Sequence, residues 1–495
     1  MMFKFSLRLI LLFAFTTTLV AQKFEDDIVF DVSKYDIRKV GYPSRIIGDG
    51  AGNTVYYEYW EPGSGRQFSG YYLQSLDADY AERWFKPVFG DPAQKFEPMN
   101  LFALENSLVV CGYQYLPKEK KWAGYAHFYD TEGADKGLLP MDPAALKKFE
   151  AGFADIYSVS PDKKRLVRMH YNPASGAKSP IYVSAMLADG KLEWAAQLKL
   201  PLADEKYKPV HFSADNKGKI WILMTKETMT GKFENDKLSQ PAVVMYNFRD
   251  NSYHTYRVQV PEAIVPAAQI DITPEGNLLL ALAVGDLSSP SFTNATRNGK
   301  PGPWSRLQFM QLTCEKDWKV LDTAVITFSE AHIQKLNFEG ADFSGNGTLL
   351  QQNGYAVWLL ESQYSQFKEQ GKVDFYAEVL MAPVRMTDMQ AGPLQIVEKK
   401  QRDLAGSVMC SFVTALSDSK VHLVYLSSVG ADGQIMVASL NLEDMTLTQK
   451  SVLSNEDGTF YFNPAKSGST ATGNLILMGM GRTTGQEYRL IRITF

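Results

Sequence analysis

The chain has 495 residues, with 51 Lys and Arg against 55 Asp and Glu, a net charge of −4, and a composition that is 45% hydrophobic and 12% aromatic. That apolar content is enough for a large core and excludes an intrinsically disordered chain. A slightly acidic balance without any long run of Lys or Arg excludes the electrostatic footprint of a nucleic-acid-binding surface.

The N-terminus has the build of a secretory signal. Lys4 and Arg8 form a basic region, residues 9–20 (LILLFAFTTTLV) form a short apolar one, and Leu19 and Ala21 provide the small and apolar positions of a cleavage site before Gln22. The expectation is a signal peptide over residues 1–21, export to the periplasm or the extracellular space, and a mature domain over 22–495. An uncleaved membrane anchor is the rival reading, but the apolar stretch is short and three Thr dilute it. No Cys stands near the cut to carry a lipid, and no later segment has the length and apolarity of a transmembrane helix, so no membrane span is expected after cleavage.

Beyond the signal, strand patterns dominate. Short runs of Val, Ile, Tyr, Phe and Leu end at Gly, Asn, Asp or Pro clusters. Asp27–Val40 (DIVFDVSKYDIRKV) is strand-like; the best helical pattern is Asp142–Phe153, with Asp142 as N-cap and Pro143 at the first helical position. A strand–turn–strand unit then recurs, as in IIGDGAGNTVYYEYW from Ile46, LFALENSLVVCGYQY from Leu101, VHFSADNKGKIWILM from Val210 and IDITPEGNLLLALAV from Ile270. A third strand follows each unit. Several continue into a fourth, as in DGKLEWAAQLKL from Asp189 and DNSYHTYRVQV from Asp250. The period is roughly 50–70 residues, the range of four-stranded propeller blades or somewhat above it.

A lone blade of this kind has two apolar faces and cannot bury both; stacking blades around an axis buries each face on a neighbour. The expected fold is therefore all-β, a single β-propeller of four-stranded blades. Eight repeats are counted; seven is the alternative if the irregular copy near Ala341 merges with a neighbour. The eighth stops at Phe495 after its third strand, so the strand-like Asp27–Val40 is expected to supply its fourth and close the ring. The turn YSVSPDKKRL (Tyr157–Leu166) resembles the Ser-Pro-Asp-Gly-Lys turn of TolB-type propeller repeats, with Lys163 where that pattern usually has Gly, and ITPEGNLLL (Ile272–Leu280) is a looser match. The resemblance implies architecture only, since propellers host many unrelated functions.

Signals for chemistry are sparse. His127, His170, His211, His254, His332 and His422 show no metal-ligand spacing. SADNKGK (Ser213–Lys219) has a single carboxylate, Asp215, and reads as a turn rather than a calcium loop. There is no Gly-x-Ser-x-Gly nucleophile elbow, no phosphate loop and no dinucleotide fingerprint. LADGKLEW (Leu187–Trp194) is similar to part of the docking motif of quinoprotein dehydrogenases, yet it occurs once, is shortened, and lacks that family's vicinal cysteines. Cys111, Cys314 and Cys410 lie far apart and read as buried small hydrophobes, with one oxidised pair as the alternative. The expectation is no metal and no cofactor.

What remains is recognition. The connections between second and third strands are compact in repeats one to three and long in repeats four to six: Lys226–Pro241, Gly285–Ser305 and Glu361–Lys372. Phe233, Phe292, Trp304, Tyr364 and Phe367 stand on them among polar residues, as aromatic anchors for a partner or as pins that pack their own loops. The reading is an exported, monomeric, non-catalytic propeller that binds a protein or glycan through loops on one face. The alternative is an exported propeller enzyme acting on a glycan or other extracellular substrate.

Overall fold

The computed structural model describes residues 24–29, 42–48, 53–60, 68–77, 81–88, 96–141, 154–171, 181–202, 205, 207–226, 241–261, 263–286, 304–336, 347–368, 371–403, 410–417, 419–428, 433–454, 460–469, 475–481, 488–493 and 495. These residues form eight antiparallel sheets; in seven of them the strands pair in chain order, and the eighth takes its outer strand from the N-terminal Phe24–Val29. The blades occupy residues 42–87, 96–140, 154–198, 207–257, 263–327, 347–403, 412–454 and 460–493. First strands of successive blades lie against one another. The first strand of each blade is therefore the innermost, and the fourth the outermost. This is the eight-bladed propeller that the repeat implied. The irregular copy resolves into blade 6, whose inner strand is Gly347–Gln352.

Alternation of side chains on the second strands explains why the blades stack. In the fully apolar run of blade 5, Leu278, Leu280, Leu282 and Val284 pack with Trp221, Leu223 and Val243 of blade 4. The intervening Leu279, Ala281 and Ala283 pack with Ala356, Trp358 and Leu360 of blade 6. One strand of period two thus serves two interfaces, which is why it shows no polar face in the sequence. Comparable clusters join blades 1 and 2, 2 and 3, 3 and 4, 6 and 7, and 7 and 8.

The turns follow the expected chemistry. Lys163 takes the left-handed conformation (φ 55°) that glycine favours, and Gly276 does so in the looser copy (φ 86°). Ser160 Oγ accepts from the Arg165 N–H at 3.0 Å, and Asp162 Oδ1 accepts from the Lys164 N–H at 3.1 Å, so the side chains of the turn hold a lysine where the backbone prefers none. Asp215 likewise caps its own turn, accepting from the N–H groups of Lys217 and Lys219. All three cysteines are buried free thiols. The expected helix over Asp142–Phe153 lies outside the described residues; a short one not expected, Glu330–Leu336, joins blades 5 and 6. No helix among the described residues is long and apolar enough to cross a membrane.

Blade 8 is assembled from both ends of the chain. The N-terminal strand Phe24–Val29 pairs antiparallel with Tyr488–Ile493, Phe24 opposite Ile493. It overlaps the expected segment only at Asp27–Val29, and residues 30–41 lie outside the described residues. The inner strand of blade 8 is broken into Phe460–Phe462 and Gly468–Ser469, with the 3-10 turn Pro464–Lys466 between them. Gly468 backs onto blade 1 so closely that a Cβ there would sit 2.4 Å from the Ile46 carbonyl oxygen. On the other side, the ring of Phe495 stacks on His422 of blade 7 with centroids 3.8 Å apart. His422 shares hydrogen bonds of 2.7 Å with Ser417 Oγ at Nε2 and with Ser439 Oγ at Nδ1.

Two expectations follow. Deleting residues 24–29 exposes the Tyr488–Ile493 edge and should lower the melting temperature and promote aggregation; a soluble deletion variant with an unchanged melting temperature would reject a latch role for this strand. Burial, aided by Lys420 and Lys450, holds the His422 pKa down at about 4, against 6.5 for an ordinary histidine. The unfolded chain therefore takes up this proton first. The associated stability, on the order of 3 kcal/mol, is fully present above about pH 6.5 and is lost as pH falls through about 4. His422→Gln should flatten the melting temperature between those limits; an unchanged pH slope would exclude His422 as its source.

Candidate ligand-binding site

In a meander of this kind, the connections from second to third strand and from each blade to the next share one face of the ring. Inner strands start at that face. Innermost strands are also edge strands: one edge is bonded to the second strand and the other faces the axis. Their starts carry a repeated irregularity. In blade 1, Pro43 pairs with Tyr57 and Arg45 with Tyr56, leaving Ser44 as an extra residue. In blade 2, Met99 is extra between Pro98 and Asn100; in blade 4, Val210 is extra between Pro209 and His211. Blade 5 has its register shift across Val265 and Pro266. Proline donates no ladder hydrogen bond, so it is tolerated on this free edge, and the bulge re-aims the residues that follow it.

The sheet faces of these strands pack on neighbouring blades, and two of the extra residues stay exposed. Met99 is 54% and Val210 39% exposed. Arg45 is exposed and lies 3.4 Å, Nη1 to Oδ1, from Asn100 of the next blade. His211 is partly buried, and its Nδ1 has no partner among the described residues; burial lowers its pKa, so the ring is neutral at neutral pH. Burial also lowers the pKa of Arg45. Arg45, Asn100 and His211, with the exposed Met99 and Val210, thus follow the prolines on the inner strands of blades 1, 2 and 4. Sequence reasoning passed over these residues. The signal was present, as Pro-x-polar-apolar in Pro43-Ser44-Arg45-Ile46, Pro98-Met99-Asn100-Leu101 and Pro209-Val210-His211-Phe212.

The corresponding residue of blade 3, Asp155, is held by a buried cluster. Its Oδ1 accepts from Arg168 Nε at 3.0 Å and meets His170 Nδ1 at 2.8 Å, and its Oδ2 accepts from Tyr113 OH at 2.5 Å. Arg168 also donates to Tyr113 OH at 2.6 Å. Burial alone would raise the carboxyl pKa, but hydrogen bonding to His170 and the charge of Arg168 bring it below the usual range, keeping Asp155 ionised. The Arg168 and His170 side chains are each 1% exposed, so this cluster braces the wall between blades 2 and 3. Among the described residues, no group of three or more His, Cys, Asp or Glu is placed to hold a metal ion.

The aromatic residues expected on the long loops fare differently. Phe233 and Phe292 lie outside the described residues. Trp304 is 4% exposed and packs in the cluster between blades 5 and 6, beside Leu307, Phe309 and Trp358, so it is core and not a surface anchor. Glu361–Lys368 and Gly371–Lys372 are strand and not loop, part of a long hairpin made by Tyr355–Lys368 and Gly371–Arg385, in which Tyr364 pairs with Phe375 and Phe367 with Lys372. The hairpin base is fixed by Glu361, which accepts from Lys399 at Oε1 and from Ser411 Oγ at Oε2 (2.9 Å). Lys399 also donates to Gln401 Oε1 at 2.9 Å.

No protein-family model and no curated protein matches the chain. Solved structures do. It is similar to the polysaccharide lyase Uly1 at 9% identity and a TM-score of 0.44, over 95% of this chain and 99% of that one. It is similar to a puromycin hydrolase at 12% identity and a TM-score of 0.40, over 89% of this chain and 58% of that one. The WD40 domain of SCAP from fission yeast is similar at 9% identity and a TM-score of 0.36, over 81% of this chain and 82% of that one. Likeness at this level reaches no further than overall shape.

Trp304→Ala should destabilise the fold by about 3–5 kcal/mol, as for other buried Trp truncations. The check is chemical denaturation with far-UV circular dichroism; a loss below about 1 kcal/mol would return Trp304 to the surface.

Proposed function

We propose that the chain is an exported, non-catalytic binding propeller that holds a glycan or protein ligand at the axial mouth of the face where the inner strands begin. The observation that carries this reading is the repeated proline bulge, after which Arg45, Asn100 and His211 stand near the starts of the inner strands of blades 1, 2 and 4, together with the exposed Met99 and Val210. Polar groups able to donate and accept, placed on rigid strands and separated by apolar patches, suit a ligand with both hydroxyl and C–H surfaces. The long hairpin of blade 6 stands on the same face. Export rests on the N-terminal pattern of Lys4, Arg8 and the apolar run.

The competing enzyme reading has one observation in its favour, the contact of Tyr113, Asp155, Arg168 and His170. Binding is preferred because Arg168 and His170 are closed to solvent. A general base must reach the proton it abstracts.

The test is retention of the full chain on a glycan array and on immobilised envelope protein fractions. Asn100→Ala combined with His211→Gln should weaken retention by at least about 1 kcal/mol, the usual threshold for a contributing residue, with the melting temperature unchanged. Full retention by the double variant would reject the mouth as the site, and turnover of a retained glycan would favour the enzyme.

A further inference from the structure

Three of the six large hydrophobic side chains that stand exposed among the described residues share one strand. It is Trp318–Thr327, the outermost of blade 5, on which Val320, Leu321 and Val325 are 45% to 49% exposed. Of the other three, only Leu192 belongs to an outermost strand. Two other outer strands are tied to a neighbouring blade. In blade 1, Arg83 and Trp84 donate to the Thr131 carbonyl of blade 2 at 3.1 and 3.0 Å; in blade 7, Gln449 donates to the Glu398 carbonyl of blade 6 at 3.0 Å. In blade 5, residues 319–323 are exposed in succession, and among the described residues none of their side chains bonds to another blade. Asp322 Oδ1 accepts from the Thr323 N–H at 2.7 Å, and neither Lys319 nor Asp322 makes an ion pair among the described residues. A bare apolar outer edge is a place where another strand can dock.

The register of this strand makes it complementary to itself. Gln311 pairs with Asp322, Leu312 with Val320 and Thr313 with Lys319, so Leu321 is an extra residue. Three positions apart, Lys319 and Asp322 would fall on opposite faces of a regular strand. The bulge brings them to the same face, on either side of Val320 and Leu321. Laid antiparallel to a copy of itself about a two-fold axis through that bulge, the strand sets Lys319 opposite Asp322 of the copy, Asp322 opposite its Lys319, and one apolar pair against the other. Opposite charges on neighbouring strands attract, and apolar side chains there shield one another from water. An unrelated partner would need this order of charges by coincidence, whereas a second copy supplies it by symmetry.

We propose that two copies of the chain associate through the outer edge of blade 5, in place of the monomer expected from the sequence. The contact uses each edge once, so it closes at two copies instead of growing into a longer sheet. It lies on the strand farthest from the axis and leaves both axes open. A contact centred on residues 319–322 is smaller than the roughly 800 Å² per partner of a standard interface, so the association is concentration-dependent. The test is sedimentation velocity of the full chain from about 1 µM to about 1 mM, where a monomer–dimer equilibrium is expected. Lys319→Glu and Asp322→Lys should each weaken it at least tenfold, because each sets like charges opposite one another twice. An equimolar mixture of the two single variants should associate as the unaltered chain does, and so should the variant that carries both changes. Leu321→Ser should weaken association without any dependence on charge. Because these residues are exposed, the melting temperature of the dilute variants should match that of the unaltered chain. A monomer at every concentration would overturn the proposal. So would a dimer that neither single variant weakens, a doubly changed variant as weak as the single ones, or assemblies that grow beyond two copies.

Discussion

Everything in this molecule depends on a single packing constraint: each central strand must bury both of its faces on different neighbours. Leu278 to Val284 shows it most plainly, with alternate residues assigned to blades 4 and 6. At about 25 cal/mol per Å² of apolar surface, such burial is the main favourable term available to a fold with few helices and no long-range covalent ties. It also dictates closure, because a blade without a neighbour would leave one apolar face in water. The first and last blades meet through Gly468 and Ile46, where only the absence of a side chain permits the approach.

Packing claims the sheet faces, so function is left to the ends of the strands and the axis-facing edge of the innermost ones. The mouth residues satisfy that geometry without weakening the blades. A bulge inserts one residue where no ladder partner is needed, and proline gives up a hydrogen bond that this edge could not use. Charged groups that fall between blades are paired in two places, Asp155 by Arg168, His170 and Tyr113, and Glu361 by Lys399 and Ser411. Breaking one partner of such a set strands a buried charge, so these networks fix which blades sit together.

The repeat made the propeller legible, because strand–turn–strand units at blade spacing are set by local chemistry: alternation, turn residues and the apolar central strand. Eight blades could be read this way; the N-terminal strand that pairs with Tyr488–Ile493 is Phe24–Val29, which shares only Asp27–Val29 with the segment its composition suggested. The site was far less legible. Trp304 stands after Gly and Pro among polar residues and looks like a loop anchor, but blade 5 draws it into the core. Glu361–Lys372 is polar enough to read as a loop, but cross-strand pairing extends the hairpin through it, a tertiary effect with no local mark. The mouth residues carried a signal, the proline two positions ahead. It was hidden because proline in a strand usually argues against the strand itself.

The pairing of Phe24 with Ile493 has a consequence for biogenesis. The two paired strands lie far apart in the sequence, so the final sheet cannot form until both are available. Contacts between such distant parts of a chain are slow to find, and an incomplete ring displays strand edges while it waits. The blades themselves are local meanders that can form early. Folding of this chain should therefore divide into rapid assembly of hairpins and one slow, unimolecular step in which the two distant strands meet.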